Sequence, residues 1–147
     1  MKIVVISDTH TDSIDNLHKR VLDELSGAEM VIHAGDFTGK RLVDALRKMG
    51  PFRGVYGNID GPDVRRELPA IDIIQAEDFM IGVNHPAEGG SPLTLEHRLR
   101  PKFPGVQAII HIVTVIGRRT IFGTVFSGST PVAQQEGFPL QRKPTGF

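Results

Sequence analysis

Four short polar signatures, each behind an apolar run, stand in the first 85 residues of this 147-residue chain: Ser7-Asp8-Thr9-His10, Gly35-Asp36, Gly57-Asn58-Ile59-Asp60 and Asn84-His85. Carboxylate and amide oxygens mixed with imidazole nitrogens suit Mn, Zn, Fe or Ni ions rather than calcium. Asp8 and His10 lie two positions apart in a loop leaving a strand, where an extended chain turns i and i+2 to the same side. Asp36 has two oxygens and can bridge two ions, while Asn58 offers a neutral amide oxygen and His85 an imidazole nitrogen. Two ions about 3.5 to 4 Å apart can hold a hydroxide between them, aim it at phosphorus and offset the charge that builds on the leaving oxygen. Hydrolysis of a phosphate ester is the natural reaction for such a set.

Singly, these signals are weak. Asp-x-His after a strand also serves as a cap or turn, and Gly-Asp and Gly-Asn are ordinary turn dipeptides. Their succession at four strand ends is what carries the metal reading. Other polar residues read more plainly. His33, inside an apolar strand, is expected to be a hydrogen-bonded core histidine. His18 and His97 fall on predicted helices among charged neighbours and are expected to be solvated, as is the basic cluster Arg98, Arg100 and Lys102.

The elements that must position these residues alternate in type. Ile3-Val4-Val5-Ile6 is a short β-branched run, the mark of a strand buried on both faces. Ile14, Leu17, Val21, Leu22 and Leu25 then recur at helical spacing after a cap at Asp12 or Ser13, and Gly27 stops the run. Met30 to Ala34 reads as a second strand, Leu42 to Met49 as a second helix ended by Gly50-Pro51, and Arg53 to Tyr56 as a third strand. This β-α-β-α-β order implies parallel neighbours, with ligands gathered beyond the carboxyl ends of the strands. Ile71 to Gln75 and Phe79 to Asn84 read as a hairpin, Leu93 to Leu99 as a helix and Ala108 to Val115 as a strand.

Composition narrows the classes. The length, with 39% apolar and 23% charged residues, fits one α/β domain, expected over residues 1–136, with a poorly ordered tail over 137–147. Seventeen basic and seventeen acidic side chains cancel, so bulk charge draws the chain toward neither nucleic acid nor an anionic membrane. The absence of cysteine removes disulfides, thiolate metal sites and thiol nucleophiles. With no leader segment or membrane span in the sequence, a cytoplasmic location is the default expectation.

The ordered signatures resemble those of the calcineurin-like metallophosphoesterases, specifically the compact bacterial and archaeal phosphodiesterase branch that also contains the eukaryotic retromer subunit of the same fold. In that family the pattern runs Asp-x-His, Gly-Asp, Gly-Asn, a strand-ending His-Gly, Gly-His-Thr-His and Asn-Pro-Gly-Ser, and the match spans residues 1 to about 111. The resemblance implies a calcineurin-like α/β sandwich, two β-sheets flanked by helices. It implies two divalent metal ions, Mn first, with Zn, Fe, Ni or Mg as alternatives. Asp8, His10 and Asp36 match one metal site; Asp36, Asn58 and His85 match the second. The implied partner is a small phosphoester; no membrane is expected, the sequence carries no strong nucleic-acid signal, and a homo-oligomer is left open. The alternative within the same fold is a non-catalytic protein-interaction module, as in the retromer subunit.

The chain also departs from the family pattern. Ile59 stands where the wider superfamily often has a histidine as leaving-group acid, which a phosphodiesterase with a good leaving group can do without. His85 is followed by Pro86, where the family prefers glycine. The Gly-His-Thr-His segment is absent: the chain reads Ile112-Val113-Thr114-Val115-Ile116-Gly117, and His111 occupies the position just before the motif. The closing strands of the second sheet are therefore expected to be incomplete. A shifted reading frame near residue 110 is one hypothesis that would account for the loss. Back-translating from His111 and starting at the third base of each codon permits His-Ser-His-Ser-His-Arg-Pro, and the same offset across Phe126 to Gln134 permits Leu-Arg-Leu-Asn-Pro-Gly-Ser-Pro. Glu136 is the only acidic residue after His111.

Overall fold

The computed structural model describes residues 1–86, 88 and 91–111. Strands β1 (Ile3–Ile6), β2 (Met30–His33) and β3 (Phe52–Gly54) form a parallel sheet in the order β1-β2-β3. Ile6 pairs with His33 and His33 with Gly54, so the three strands end level with one another. The loops that follow therefore open on one side, where the sequence places Asp8, Asp36 and Asn58. Helices α1 (Lys19–Ser26) and α2 (Lys40–Met49) supply the crossovers. Their apolar stripes bury Leu25, Leu42, Val43 and Leu46 against Val31 and Phe37. Each such side chain stabilises the fold by about 1.5–3 kcal/mol relative to exposure.

A second sheet, ordered β4-β5-β6, lies against the other face. Strands β4 (Ile71–Ala76) and β5 (Phe79–Asn84) form the expected hairpin, and β6 (Ala108–His111) runs parallel to β5. Ile32 of β2, with Ala34 and Val55 immediately after β2 and β3, packs on Ile74, Val83 and Ile110 of the second sheet. On the far side of the second sheet, Leu95 and Leu99 of α4 (Leu95–Leu99) and Phe103 pack on Ile109 of β6. Two three-stranded sheets flanked by helices are thus the architecture. Among the described residues no helix is long and apolar enough to cross a membrane. The expected tail over 137–147, the domain limit at residue 136 and the closing strands of the second sheet lie outside the described residues.

Three local readings need correction. The helix expected from Ile14 onward is broken: Ser13 caps a single 3-10 turn over Ile14–Asn16, and Leu17 is extended. His18 then caps α1, its Nδ1 accepting the Arg20 N–H at 3.2 Å, so this exposed histidine does local work instead of lying on the helix. A further helix, α3 (Pro62–Glu67), occupies a stretch that gave no helical periodicity. It is only six residues long, opened by Gly61 with Pro62 inside its first turn. At the surface near α4, Arg100 pairs with Glu96 and Lys102 with Glu88.

Candidate metal centre

The loops after β1 and β2 adopt backbone conformations that side chains seldom accept. Asp8 and His10 both have φ 49°, Asp36 has 63° and Thr38 has 83°, while Gly35 lies at 103°. Such left-handed residues are tolerated best by Asp, Asn, His and Gly and cost on the order of 1–3 kcal/mol otherwise. Bonds between the loops hold them there: the Asp8 N–H donates to the Gly35 carbonyl at 3.0 Å and the His10 N–H to the Asp36 carbonyl at 3.1 Å. Asp8 and His10 consequently face each other through two left-handed turns, not through the extended geometry expected from their spacing.

The five residues singled out from the sequence come together. His10 Nε2 lies 3.7 Å from Asp8 Oδ1 and 3.7 Å from Asp36 Oδ2. His85 Nε2 lies 3.6 Å from the other oxygen of Asp36 and 3.0 Å from Asn58 Oδ1. One ligand atom each from Asp8, His10 and Asp36 falls within 4.8 Å of the others. Asp36 is 3% exposed and forms the floor, whereas His10 and Asn58 stand open to solvent at the rim.

The donor chemistry fits divalent cations. His85 Nδ1 lies 2.9 Å from the Ala34 carbonyl, which only accepts, so that nitrogen carries the proton. Nε2 of the same ring faces two side-chain oxygens, Asn58 Oδ1 at 3.0 Å and Asp36 Oδ1 at 3.6 Å. An imidazole nitrogen, an amide oxygen and a carboxylate oxygen converging in this way form a donor set that a divalent cation satisfies, and a backbone carbonyl on the remote nitrogen is the usual way of orienting an imidazole ligand. Burial pushes the Asp36 carboxyl above its ordinary value; His85 and the Ile59 N–H oppose this, and the negative charges of Asp8 and Asp60 add to it. A positive ion between these groups relieves both causes of the rise.

His33 has no such opening. Its Nδ1 accepts the Gly35 N–H at 3.1 Å, its Nε2 bonds Thr9 Oγ1 at 3.1 Å, and its ring stacks 3.6 Å from that of Phe37. Burial, with His85 adding to it, pushes its pKa down to about 3, so it is a neutral core histidine that joins both loops. His111 is set apart as well. It shares the parity of Ile109, which packs under α4, whereas Ile110 faces the first sheet. Alternation along β6 therefore turns His111 away from His85. The segment expected to carry the missing histidines, Ile112 to Gly117, lies outside the described residues.

The glycines of the signatures prove to be contact residues. A Cβ on Gly35 would meet His85 Nδ1 at 2.7 Å, and one on Gly57 would sit 2.6 Å from the Asp36 backbone nitrogen and collide with its carboxylate. In the sequence these glycines read only as turn formers, and Asp60, whose carboxylate gathers the backbone of two loops, carries no signal of its own.

Paired sheets between helices, with a carboxylate–imidazole cluster at the mouth of the parallel strands, are the arrangement of a metallophosphoesterase. A profile of the calcineurin-like phosphoesterase superfamily domain matches residues 1–112, and the chain belongs to that superfamily. It is 41% identical over 86 residues to a probable metallophosphoesterase of Methanocaldococcus jannaschii, covering 58% of this chain and 43% of that one. It is 34% identical over 86 residues to a probable metallophosphoesterase of Methanothermobacter thermautotrophicus, covering 58% and 49%. The matched region thus spans under half the length of these curated relatives. Among solved structures, the solution structure of Thermotoga maritima protein TM1076 is similar at 31% identity and TM-score 0.60, over 75% of this chain and 71% of that one. Vacuolar Protein Sorting 29 from Cryptosporidium parvum shares the fold at 18% identity and TM-score 0.60, over 85% and 71%.

Proposed function

We propose that the chain is a metal-dependent phosphoesterase acting on phosphodiesters, with Asp8, His10 and Asp36 holding one divalent ion and Asp36, Asn58 and His85 the other. The observation that carries this reading is the placement of Asp36, whose two oxygens each face a different imidazole, at 3.7 Å and 3.6 Å. Mn²⁺ is the first candidate ion, with Zn, Fe, Ni and Mg as alternatives. When bound, such a pair supplies an acidified water for attack and offsets charge on the phosphoryl oxygens.

The chain's own residues do the rest. The Ala34 carbonyl fixes the His85 tautomer, and the left-handed turns at Asp8, His10 and Asp36 aim three donors at one point. Ile59, 43% exposed beside Asn58, presents an apolar surface where a leaving-group acid would stand, which favours diesters that expel a stable anion. The natural substrate is a small phosphoester on this reading.

The test is hydrolysis of bis(4-nitrophenyl) phosphate with and without Mn²⁺. Stimulation by Mn²⁺, reduced at least about 100-fold in Asp36→Asn, is the expected outcome. Absence of both turnover and metal uptake would overturn the enzyme reading and leave an interaction module on the same fold.

A further inference from the structure

The Asp60 carboxylate is 4% exposed and accepts backbone N–H groups from two different loops. Its Oδ2 takes the Asp36 N–H at 3.0 Å and the Gly57 N–H at 2.7 Å; its Oδ1 takes Phe37 at 2.8 Å and Thr38 at 3.1 Å. Bonds to an ionised acceptor are roughly twice as strong as neutral ones, and here they tie the loop that carries Asp36 to the loop that carries Asn58. Arg65, on α3, holds the second loop from the opposite side. Its Nε donates to the Asp60 carbonyl at 2.7 Å, and its Nη2 reaches the Gly57 and Asn58 carbonyls at 3.2 Å each. The guanidinium also lies over the Tyr56 ring, 4.6 Å from its centre.

The segment 57–60 belongs to no strand or helix, and Asn58 itself is exposed. Its place opposite His85 therefore depends on these two side chains, one collecting N–H groups and the other carbonyls. We infer that Asp60 and Arg65 are positioning residues: Asp60 locks the 57–60 loop to the 35–38 loop, Arg65 braces the 57–60 loop alone, and together they set the affinity of the Asp36–Asn58–His85 half for a divalent cation. The ligand in this inference rests on the metal reading above; the lock between the loops does not. The asymmetry between the two residues makes the inference specific. Loss of Arg65 loosens one half, whereas loss of the Asp60 charge loosens the shared ligand as well.

The experiment uses the 147-residue protein, titrated with Mn²⁺ by calorimetry and followed by electron paramagnetic resonance for an exchange-coupled pair. Amide hydrogen exchange is measured on the metal-free form. Arg65→Met keeps the alkyl stem and removes the donors. It is expected to weaken the second Mn²⁺ about 10- to 100-fold, leave the first unchanged and diminish the coupled signal. Arg65→Lys, which can still reach a carbonyl, is expected to recover part of the loss. Asp60→Asn places an NH₂ against backbone N–H groups, so both ions should weaken and the Gly57 and Phe37 amides should exchange at least about tenfold faster. A residue that served stability alone would lower the unfolding midpoint without changing the ratio of the two affinities. Equal weakening of both ions in Arg65→Met, or affinities like those of the unmodified chain, would therefore overturn the inference. If the unmodified chain takes up no Mn²⁺, the metal reading fails, and amide exchange then decides the lock: rates unchanged in Asp60→Asn overturn it, faster rates sustain it.

Discussion

At Gly57 the missing side chain is the functional feature. Its backbone nitrogen meets the Asp60 carboxylate while the space beside its Cα is filled by Asp36, so a methyl group and the shared ligand compete for one position. Gly57→Ala is expected to displace Asp36, destabilise the fold by about 1–3 kcal/mol and reduce Mn²⁺-stimulated hydrolysis at least about 100-fold, checked by urea unfolding alongside the diester assay. His33 makes a second prediction, in pH. Its pKa falls from 6.5 in the unfolded chain to about 3 in the fold, so between these values the unfolded state binds the extra proton. The stability that His33 contributes is complete above about pH 6.5 and is lost as pH falls, by about 2 kcal/mol at pH 5. Urea unfolding of the metal-free protein at pH 7 and pH 5 reads this directly, and His33→Gln should flatten the difference. The metal candidates were legible because coordination restricts which residue types can serve. Asp60 and Arg65 were not, because their bonds run to backbone atoms that any sequence supplies, and the loop-joining use of His33 was not, because its partner Thr9 Oγ1 is an ordinary hydroxyl 24 positions away.

The elements were legible where burial imposes a period. Apolar residues of β1 and β2, the helix from Lys40 and the hairpin from Ile71 each repeat at the spacing of the face they bury, and the structure places all of them with shifts of a residue or two. Periodicity failed where local hydrogen bonds decided the backbone. The Ile14–Leu25 pattern is continuous in hydrophobicity, yet the Ser13 and His18 side chains each satisfy an N–H and divide it into a 3-10 turn and a helix. Likewise α3, six residues long, is too short to show a repeat. Because α2 lies on the face of the first sheet away from the second, its packing can be weakened without touching the ligands. Leu46, fully buried in that cluster, is the probe. Leu46→Ala is expected to cost about 2–5 kcal/mol in urea unfolding while the Mn²⁺-dependent rate per folded molecule stays unchanged.

Across the whole molecule, charge and family likeness both divide the chain near the end of β6. Sixteen of the seventeen acidic residues precede residue 112, and the superfamily profile covers residues 1–112. Every family signature up to His85 is carried by a residue of the right type, and those that should follow β6 are missing together. Independent substitutions would have to remove two histidines and the Asn-Pro-Gly-Ser segment separately, whereas one displacement of the reading frame removes all of them at once. The code makes this testable at two positions. In the displaced frame the third base of the Val113 codon is followed by the AC of Thr114, and the third base of the Val115 codon by the AT of Ile116. Each yields histidine only if that base is C; T, A or G gives Tyr, Asn or Asp. The nucleotide sequence is therefore expected to encode Val113 and Val115 both as GTC, and any other valine codon at either position would sink the displacement. A gene restored to the displaced frame should in turn yield a chain that binds Mn²⁺ more tightly than this one in the same calorimetric titration, because the family resemblance assigns each ion one of those imidazoles.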